Sequence, residues 1–379
     1  MRILIYIGYQ KPHFNAEVWL DNGAGGTEYC AMKLAEVFSS NDHEVIVSGN
    51  VKNGYWNGVR YVALEDLNRS SLLIASDDSK DLKPSTHYDI VIASQYIHYF
   101  KELEQRDITF NYSLFWLHNE DGWYPYYRGE KIHDNGVSYL FKDNLNGIVG
   151  VSHFHSNLLK NILKNISNKE RDFNELIYSI DNAIDPKDWD SMTINKVKGR
   201  IIWSSSPDRG LHFILENWKR WKEIRPDLTL HICCPPYSKD WEKGFINQEG
   251  IKYLGALNPS QLRIEQCNAE YWIYSSEYVE TYCITALEIM MSKCKIITNG
   301  PGNIKHLIES GRYGTLVDNS PESVIQILSK DLLDDDYSNL LERKVILAYE
   351  FALKQNWDQR INEWLSLIGY IDNNLIKKE

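Results

Sequence analysis

The sequence predicts an α/β protein built from two doubly wound domains, and three observations support this fold class. The chain has 379 residues, which exceeds one domain of ordinary size and suits two. Short apolar runs alternate with stretches of helical periodicity along its length, a pattern typical of parallel strands that are covered by helices on both faces. This series occurs twice, and a segment containing Asn and Pro at residues 177–190 lies between the two copies.

The first series begins with a buried strand at 2–9, followed by a long loop that ends in AGGTE and by a helix through YCAMKLAEVFSS. Residues 50–87 are polar and irregular, so we expect excursions there rather than core. Further strands are predicted at 43–49, 88–94, 110–119 and 145–152, and a helix follows the last of them.

The second series begins near residue 199 with the strand 200–206, which turns through SPDRG into a helix. The stretch after residue 333 is helical and ends in a helix whose Trp357 and Trp364 share one face. Further strands are predicted at 228–234, 251–257, 271–276, 295–300 and 314–318, and helices at 281–292 and 303–309.

The domain boundaries follow from these two series. We expect an N-terminal domain at 1–183 and a C-terminal domain at 184–354, with the helix at 355–379 packing back on the first domain. The carboxyl ends of the strands in two such domains would face a central cleft, because ligands of doubly wound sheets bind there.

Composition excludes several classes of protein. The net charge is −11, which argues against binding to a nucleic-acid backbone, since that binding needs Lys and Arg. No apolar stretch approaches the ~20 residues of a transmembrane helix, and the N-terminal apolar run is a strand rather than a signal peptide. The six cysteines form no C-x-x-C pair, so we expect reduced thiols in a cytoplasmic protein.

Two loops carry residues suited to an anionic ligand. Gly25 and Gly26 precede a helix, where backbone amides can approach a phosphate. The spacing is not that of a G-x-G-x-x-G dinucleotide loop, and the alternative is a plain turn before a helix. Arg209 lies at the end of the strand 200–206, where a guanidinium can bind a diphosphate bidentately. The alternative for Arg209 is an ion pair with an acidic neighbour in a surface turn.

Two carboxylates stand eight positions apart in the stretch EYVETYCITALEIM. Glu280 would lie just before a helix, where a favourable interaction with the helix dipole is the alternative to a functional role. Glu288 lies inside that helix among apolar residues. A carboxylate in such surroundings needs a hydrogen-bond partner, and vicinal hydroxyls such as those of a ribose would serve.

The stretch ETYCITALEIMMSKCKIITNGPGNIKHLI, with GTLVD beyond it, resembles the signature block of glycosyltransferase family 4. The AGGTE loop, SPDRGL and NAID at 182–185 fall where that family has counterparts, so the resemblance spans most of the chain. It implies the GT-B fold, in which two Rossmann-like domains face a central cleft. It also implies a retaining glycosyltransferase that moves a hexose from a GDP- or UDP-sugar to a glycan or other hydroxyl acceptor, without a metal ion or other cofactor.

The resemblance also implies roles for individual residues. Glu280 would contact hydroxyls of the donor sugar, Glu288 the ribose, and Arg209 the diphosphate. Family members carry a second basic residue where this chain has Ser204. The diphosphate would also meet Gly25, Gly26 and the main-chain amides near Tyr282 and Cys283.

His118 matches a histidine that family members place beside the transferred sugar. The alternative is a histidine at the end of a strand that a neighbour satisfies by hydrogen bonding. Aromatic residues after His118 could stack on an acceptor sugar, or anchor their own loop. These are Trp123, Tyr124, Tyr126 and Tyr127.

Other classes of function remain open at this stage. A nucleotide-sugar epimerase of GT-B fold would release an altered free sugar, and a non-catalytic sugar-nucleotide-binding protein would use the same cleft without transfer. A phosphorylase would need a cofactor lysine that the sequence does not identify. A nicotinamide oxidoreductase would need an acidic residue at the end of the second strand, where Ser48 and Gly49 stand.

Overall fold

The chain forms two compact α/β units in a computed structural model. The structure describes residues 1–8, 14–68, 86–120, 122, 126–127, 130–131, 136–166, 171–235 and 248–376. The first unit contains Met1–Val18, Gly26–Asp181 and Trp357–Glu379, and the second contains Trp19–Gly25 and Asn182–Asn356.

The first unit is built on a sheet of eight strands. Its central strand is the apolar run near the N-terminus, in which Ile3, Leu4 and Ile5 have no exposed surface. Between the sixth and the ninth strand of the chain, β7 (Tyr126–Tyr127) and β8 (Glu130–Lys131) form a separate two-stranded sheet. The eight strands of the main sheet are β1 (Arg2–Tyr6), β2 (Glu44–Gly49), β3 (Gly54–Trp56), β4 (Val59–Ala63), β5 (His87–Ser94), β6 (Thr109–Leu117), β9 (Leu145–Gly150) and β10 (Ile177–Ser179).

The order across this sheet is β10-β9-β6-β5-β1-β2-β4-β3, and all pairs are parallel except β3 with β4. Because β1 pairs with strands on both sides and is covered on both faces, it has to be apolar throughout. The helix α1 (Ala16–Asn22) begins in this unit, but its residues from Trp19 onward are assigned to the second unit. The helices that accompany the strands of the first unit are α2 (Gly26–Ser40), α3 (Tyr99–Glu104) and α4 (His153–Leu163).

The second unit is built on a six-stranded sheet in which every pair is parallel. Its strands are β11 (Val197–Trp203), β12 (Thr229–Cys233), β13 (Ile251–Gly255), β14 (Ala269–Tyr274), β15 (Lys295–Thr298) and β16 (Thr315–Leu316), in the order β13-β12-β11-β14-β15-β16. Its helices are α5 (Leu211–Ile224), α6 (Pro259–Asn268), α7 (Ile284–Met291), α8 (Ile304–Leu307), α9 (Pro321–Leu333) and α10 (Asp335–Ala352).

The C-terminal helix α11 (Trp357–Ile376) belongs to the first unit. Trp357 and Trp364, seven residues apart, are both buried. The ring of Trp364 packs edge-on against Trp116 of β6, with 5.2 Å between the centroids. The helical periodicity of this segment therefore serves to bury one aromatic face.

One expectation from the sequence is wrong. Residues 50–87 are not merely excursions, because β4 joins the main sheet beside β2 and Tyr61 in it is fully buried. The segment 177–190 does contain the boundary between the two units, which falls between Asp181 and Asn182. Its first residues, Ile177–Ser179, also form the edge strand β10, which the sequence does not predict. Both strands are short, so their apolar patterns are hard to distinguish from loops. The predicted fold class, with two doubly wound α/β domains, is confirmed.

No helix within the described residues is both long enough and apolar enough to cross a membrane. The six cysteines are all buried free thiols.

Candidate functional site

Glu280 lies in the second unit, in the loop between β14 and α7. Its side chain is buried, with 6% of the residue exposed. The Oε1 atom accepts a hydrogen bond from Nη1 of Arg209 at 3.0 Å and another from the hydroxyl of Tyr274. A buried carboxylate is stable only with such donors, so this loop holds Glu280 in one defined position.

Arg209 follows β11 in the short 3₁₀ turn Pro207–Arg209. The next residue, Gly210, has a φ of +113°, and a Cβ there would come within 2.8 Å of the carbonyl oxygen of Ser275. Glycine therefore allows this turn to pack closely against the Glu280 loop. The Cζ atom of Arg209 lies 3.7 Å from the centroid of the Tyr278 ring, a cation–π contact.

The charge on Arg209 is stabilised by its surroundings. Burial, the largest single effect, opposes the charged form, but Glu280, Tyr278 and Tyr274 together outweigh it and raise the pKa of the guanidinium. One face of the guanidinium is covered by Tyr278 and one nitrogen is bound to Glu280. About a third of the side chain is exposed, at 30%, so it can still reach a ligand with its other N–H groups.

The loop that follows β15 fixes the backbone around Glu280. The backbone N–H of Asn303 donates to the carbonyl oxygen of Glu280 at 2.8 Å. The side-chain Nδ2 of Asn303 donates to the carbonyl oxygen of Tyr282 at 3.1 Å. Gly302 has a φ of +58°, and a Cβ there would lie 2.3 Å from the Glu280 oxygen. Nearer to β14, Asn299 and Ser276 exchange two hydrogen bonds. The loop is therefore anchored at both ends.

The N-terminus of α7 lies directly after this loop. Cys283 is the N-cap residue, with a φ of +74°, and its side chain makes no capping hydrogen bond. No acidic residue occupies the first turn either. The first-turn amides of α7 thus receive no hydrogen bond from the N-cap side chain, and the positive end of the helix dipole favours an anion there. Tyr282 and Cys283 are themselves buried.

Glu288 lies in the second turn of α7 and is half-buried. Its Oε2 accepts a hydrogen bond from Nε2 of Gln266, at the end of α6, at 3.1 Å. The same Nε2 lies 3.5 Å from the hydroxyl oxygen of Ser204. Burial raises the pKa of Glu288, and the hydrogen bond from Gln266 partly offsets this effect.

His118 lies in the first unit, directly after β6, and is buried. Its Nε2 is 3.2 Å from the hydroxyl oxygen of Ser94. Burial, with a smaller contribution from His155, lowers the pKa of His118 to about 3. The pKa of His155 is lowered by burial to about 4. Both imidazoles are therefore neutral at physiological pH.

Gly25 and Gly26 lie where the helix α2 begins. Beside them, the hydroxyl of Thr27 donates to Oε1 of Gln95 at 3.2 Å. Gln95 follows β5 and has a φ of +71°, which is unusual for a residue other than glycine. Trp123 and Tyr124 lie outside the described residues, and Tyr126 and Tyr127 are described only as the strand β7.

The second unit brings the predicted residues Arg209 and Glu280 into direct contact, and it places Glu288 in the helix that follows Glu280. Sequence reasoning misses their partners, because each partner is distant in the sequence or has no charge to draw attention to it. Asn299 and Asn303 alone have a visible signal, since they are the first and last residues of the glycine-containing stretch NGPGN. The missed residues are Tyr274, Tyr278, Gln266, Asn299 and Asn303.

Comparison with known proteins places this arrangement in a wider group. Residues 202–346 match the sequence profile of the family Glycosyl transferases group 1. The chain is 23% identical over 184 residues to the lipopolysaccharide 1,2-N-acetylglucosaminetransferase of Salmonella typhimurium. That match covers 45% of this chain and 47% of the relative, so the chain spans about half the length of this curated relative.

Solved structures share the fold over nearly the whole chain. The Anabaena protein HepE in complex with UDP and glucose superimposes with a TM-score of 0.65 and 12% identity, covering 96% of this chain and 99% of that one. The pneumococcal O-GlcNAc transferase GtfA in complex with UDP and GlcNAc gives a TM-score of 0.64 and 12% identity, covering 97% and 99%.

The structural neighbours define the class of fold: the chain has the GT-B fold, and its residues 202–346 resemble the Glycosyl transferases group 1 family. The matched segment contains Arg209, Glu280 and Glu288. The predicted GT-B fold is thereby confirmed.

Proposed function

We propose that this protein is a retaining glycosyltransferase that moves a hexose from a nucleotide diphosphate sugar to a glycan or other hydroxyl acceptor. The observation that carries the proposal is the pairing of Arg209 with the buried carboxylate of Glu280, next to the start of α7. A cation and a helix N-terminus suit a diphosphate, and a fixed carboxylate suits sugar hydroxyls. The structures of HepE and GtfA, which share the fold, contain UDP. UDP-sugars are therefore the first donors to test, and GDP-sugars are the second.

Each residue has a part in this proposal. Arg209 binds the diphosphate with the N–H groups that Glu280 does not engage. Glu280 accepts hydrogen bonds from hydroxyls of the donor sugar, and Glu288 accepts them from the ribose. The diphosphate also meets backbone amides, those of Gly25, Gly26, Tyr282 and Cys283. His118, neutral at physiological pH, acts from the first unit as a hydrogen-bonding partner of the sugar rather than as a charged acid.

The reaction breaks the bond between the anomeric carbon and the diphosphate oxygen, and a sugar with oxocarbenium character forms. Arg209 and the amides of α7 stabilise the negative charge that develops on the leaving diphosphate, which is the main electrostatic contribution. The acceptor hydroxyl then attacks the same face, and its proton passes to the departing phosphate. This route uses no covalent carboxylate intermediate, in contrast to retaining glycosidases, and we propose that it needs no metal ion.

The domains divide the work in this proposal. The N-terminal domain, residues 1–183 with the C-terminal helix, binds the acceptor, and the C-terminal domain, residues 184–354, binds the donor. We further propose that the protein acts in the cytoplasm, which the six free thiols support.

The test is product analysis with labelled UDP- and GDP-sugars and a panel of glycan acceptors, in the presence of a chelator. The wild type should transfer label to an acceptor with retained anomeric configuration. Glu280→Gln should lower the rate roughly a hundredfold, because it weakens hydrogen bonds that matter in the transition state. Glu277→Gln is the matched control, since Glu277 is exposed on the same loop.

Three results would contradict the proposal. An unchanged rate in Glu280→Gln would remove the role of that residue. Release of an altered free sugar would indicate an epimerase, and binding of donor without any turnover would indicate a sugar-nucleotide-binding protein. Loss of transfer on chelation would overturn the metal-independent route alone.

A further inference from the structure

We propose that Gln266 is a positioning residue that orients the carboxylate of Glu288 toward the ribose of the donor. The inference rests on the proposed function, in which Glu288 binds the ribose hydroxyls. It adds a residue that the sequence motifs do not point to. Gln266 does not contact the reacting atoms in this account and acts through Glu288.

The geometry supports a directed contact. Gln266 has no exposed surface. Its Nε2 donates to Oε2 of Glu288 at 3.1 Å and lies 3.5 Å from the hydroxyl oxygen of Ser204. One amide group therefore links the end of α6, the second turn of α7 and the residue that follows β11. Within the described part of the chain, Gln266 is the side chain that donates a hydrogen bond to Glu288.

The backbone beneath Gln266 is also held in place. The ammonium group of Lys196 contacts the carbonyl oxygens of Gln266, Ala269 and Ser292, at 3.4, 2.6 and 2.6 Å. Ser292 directly follows α7, so the same cation joins the ends of both helices. The two side chains of the Gln266–Glu288 pair thus project from backbones that are fixed relative to each other.

The amide is not there for stability alone. Its Oε1 atom is buried and has no hydrogen-bond partner among the described residues. A buried, unpartnered acceptor is destabilising, and an apolar side chain of similar volume would avoid that cost. Residues that break a rule of stability are expected at functional sites.

A neutral donor suits the role. A lysine or arginine at this place would form an ion pair and compete with the ligand for the carboxylate. An amide fixes one oxygen without neutralising the charge, so Glu288 can still accept hydrogen bonds from two vicinal hydroxyls. Without Gln266, the half-buried carboxylate would have neither a fixed orientation nor a donor to offset its burial.

The test compares binding of a nucleoside diphosphate with that of its 2′,3′-dideoxy analogue by titration calorimetry. The nucleoside diphosphate is UDP, GDP or ADP, whichever binds the wild type most tightly, and it is compared with its own dideoxy analogue. The wild type should prefer the ribose form roughly tenfold or more, as expected for hydrogen bonds to a charged group. Glu288→Gln should remove most of this preference.

The variant Gln266→Met keeps the volume and removes the donor. It should lose the ribose preference to about the same extent as Glu288→Gln, while a cooperative thermal transition without ligand shows that the variant is folded. Gln261→Met is the matched control, because Gln261 is exposed on the same helix and should leave the preference unchanged. Gln266→Glu should show a preference that returns as the pH is lowered, because two adjacent carboxyls share a proton.

The outcomes separate the two proposals. If the wild type discriminates, Glu288→Gln does not, and Gln266→Met still does, the role of Gln266 is overturned and the donor site stands. If the wild type binds none of the three diphosphates, or does not distinguish ribose from dideoxyribose, the ribose role of Glu288 fails and the inference fails with it.

Discussion

Arg209 and Glu280 show how a single pair can be prepared for a ligand. The guanidinium lies over Tyr278 and the carboxylate accepts from Tyr274, so each partner is held by a second contact. Both side chains are therefore ordered before any ligand arrives, which lowers the entropic cost of binding. An incoming diphosphate would compete with Glu280 for Arg209 only at one nitrogen.

His118 and His155 make the fold sensitive to acid. Their pKa values are lowered by burial to about 3 and about 4, from an ordinary value of 6.5. As the pH falls below about 6.5, the unfolded chain takes up protons that the folded chain does not. Stability is therefore present near pH 7 and lost as the pH falls toward 4. The raised pKa of Glu288 acts in the opposite direction.

We predict that His118→Gln loses less stability than the wild type between pH 7 and pH 5. The variant lacks an imidazole that stays neutral in the folded protein while it takes up a proton in the unfolded chain. The glutamine side chain can still reach the hydroxyl of Ser94. Urea denaturation at both pH values measures the difference. Equal losses in the two proteins would show that His118 does not titrate as described.

At the level of elements, the loop after β15 supports the loop before α7. Gly302 and Asn303 contact the backbone at Glu280 and Tyr282. The loop that carries Glu280 therefore depends on the loop that follows the adjacent strand β15. A change at Gly302 should therefore alter the site without touching any side chain in it.

We predict that Gly302→Ala lowers stability by about 2 kcal/mol or more and reduces transfer activity, because the new Cβ meets the Glu280 backbone at a positive φ. Gly369→Ala is the control: it lies in α11, where an added Cβ would meet no atom of the described residues within 4 Å, and it should stabilise by about 0.5–1 kcal/mol. Guanidinium denaturation and the transfer assay measure both effects. A Gly302→Ala variant as stable and active as the control would contradict this packing.

The elements also show what can be predicted from the sequence. The long apolar strands and the position of Glu280 before α7 follow from local pattern, and the sequence predicts them. It does not predict the short strands β4 and β10, because their place in the sheet depends on pairing with distant strands. The contact of Gln266 escapes prediction for a related reason. Gln266 is 22 residues from Glu288, and nothing in a local pattern joins them.

For the molecule as a whole, the net charge has the same sign as the ligand of the proposed site. The net charge is −11, yet the proposed site binds an anion. Binding is feasible because the positive contribution is local, from Arg209 and the amides of α7, and does not depend on the overall field. The residues proposed to bind the nucleotide diphosphate are mostly in the second unit, so donor binding should depend chiefly on that unit.

The most direct test of this account is the thermal stability of the protein with UDP, GDP and ADP. At about a hundred times its Kd, a ligand of the native state adds about 2.7 kcal/mol, which corresponds to a rise in Tm of several degrees. We predict such a rise with at least one of the three for the wild type, and its loss in Arg209→Gln. The absence of a shift with all three, or an equal shift in Arg209→Gln, would contradict the central claim that Arg209 binds the diphosphate of a nucleotide donor.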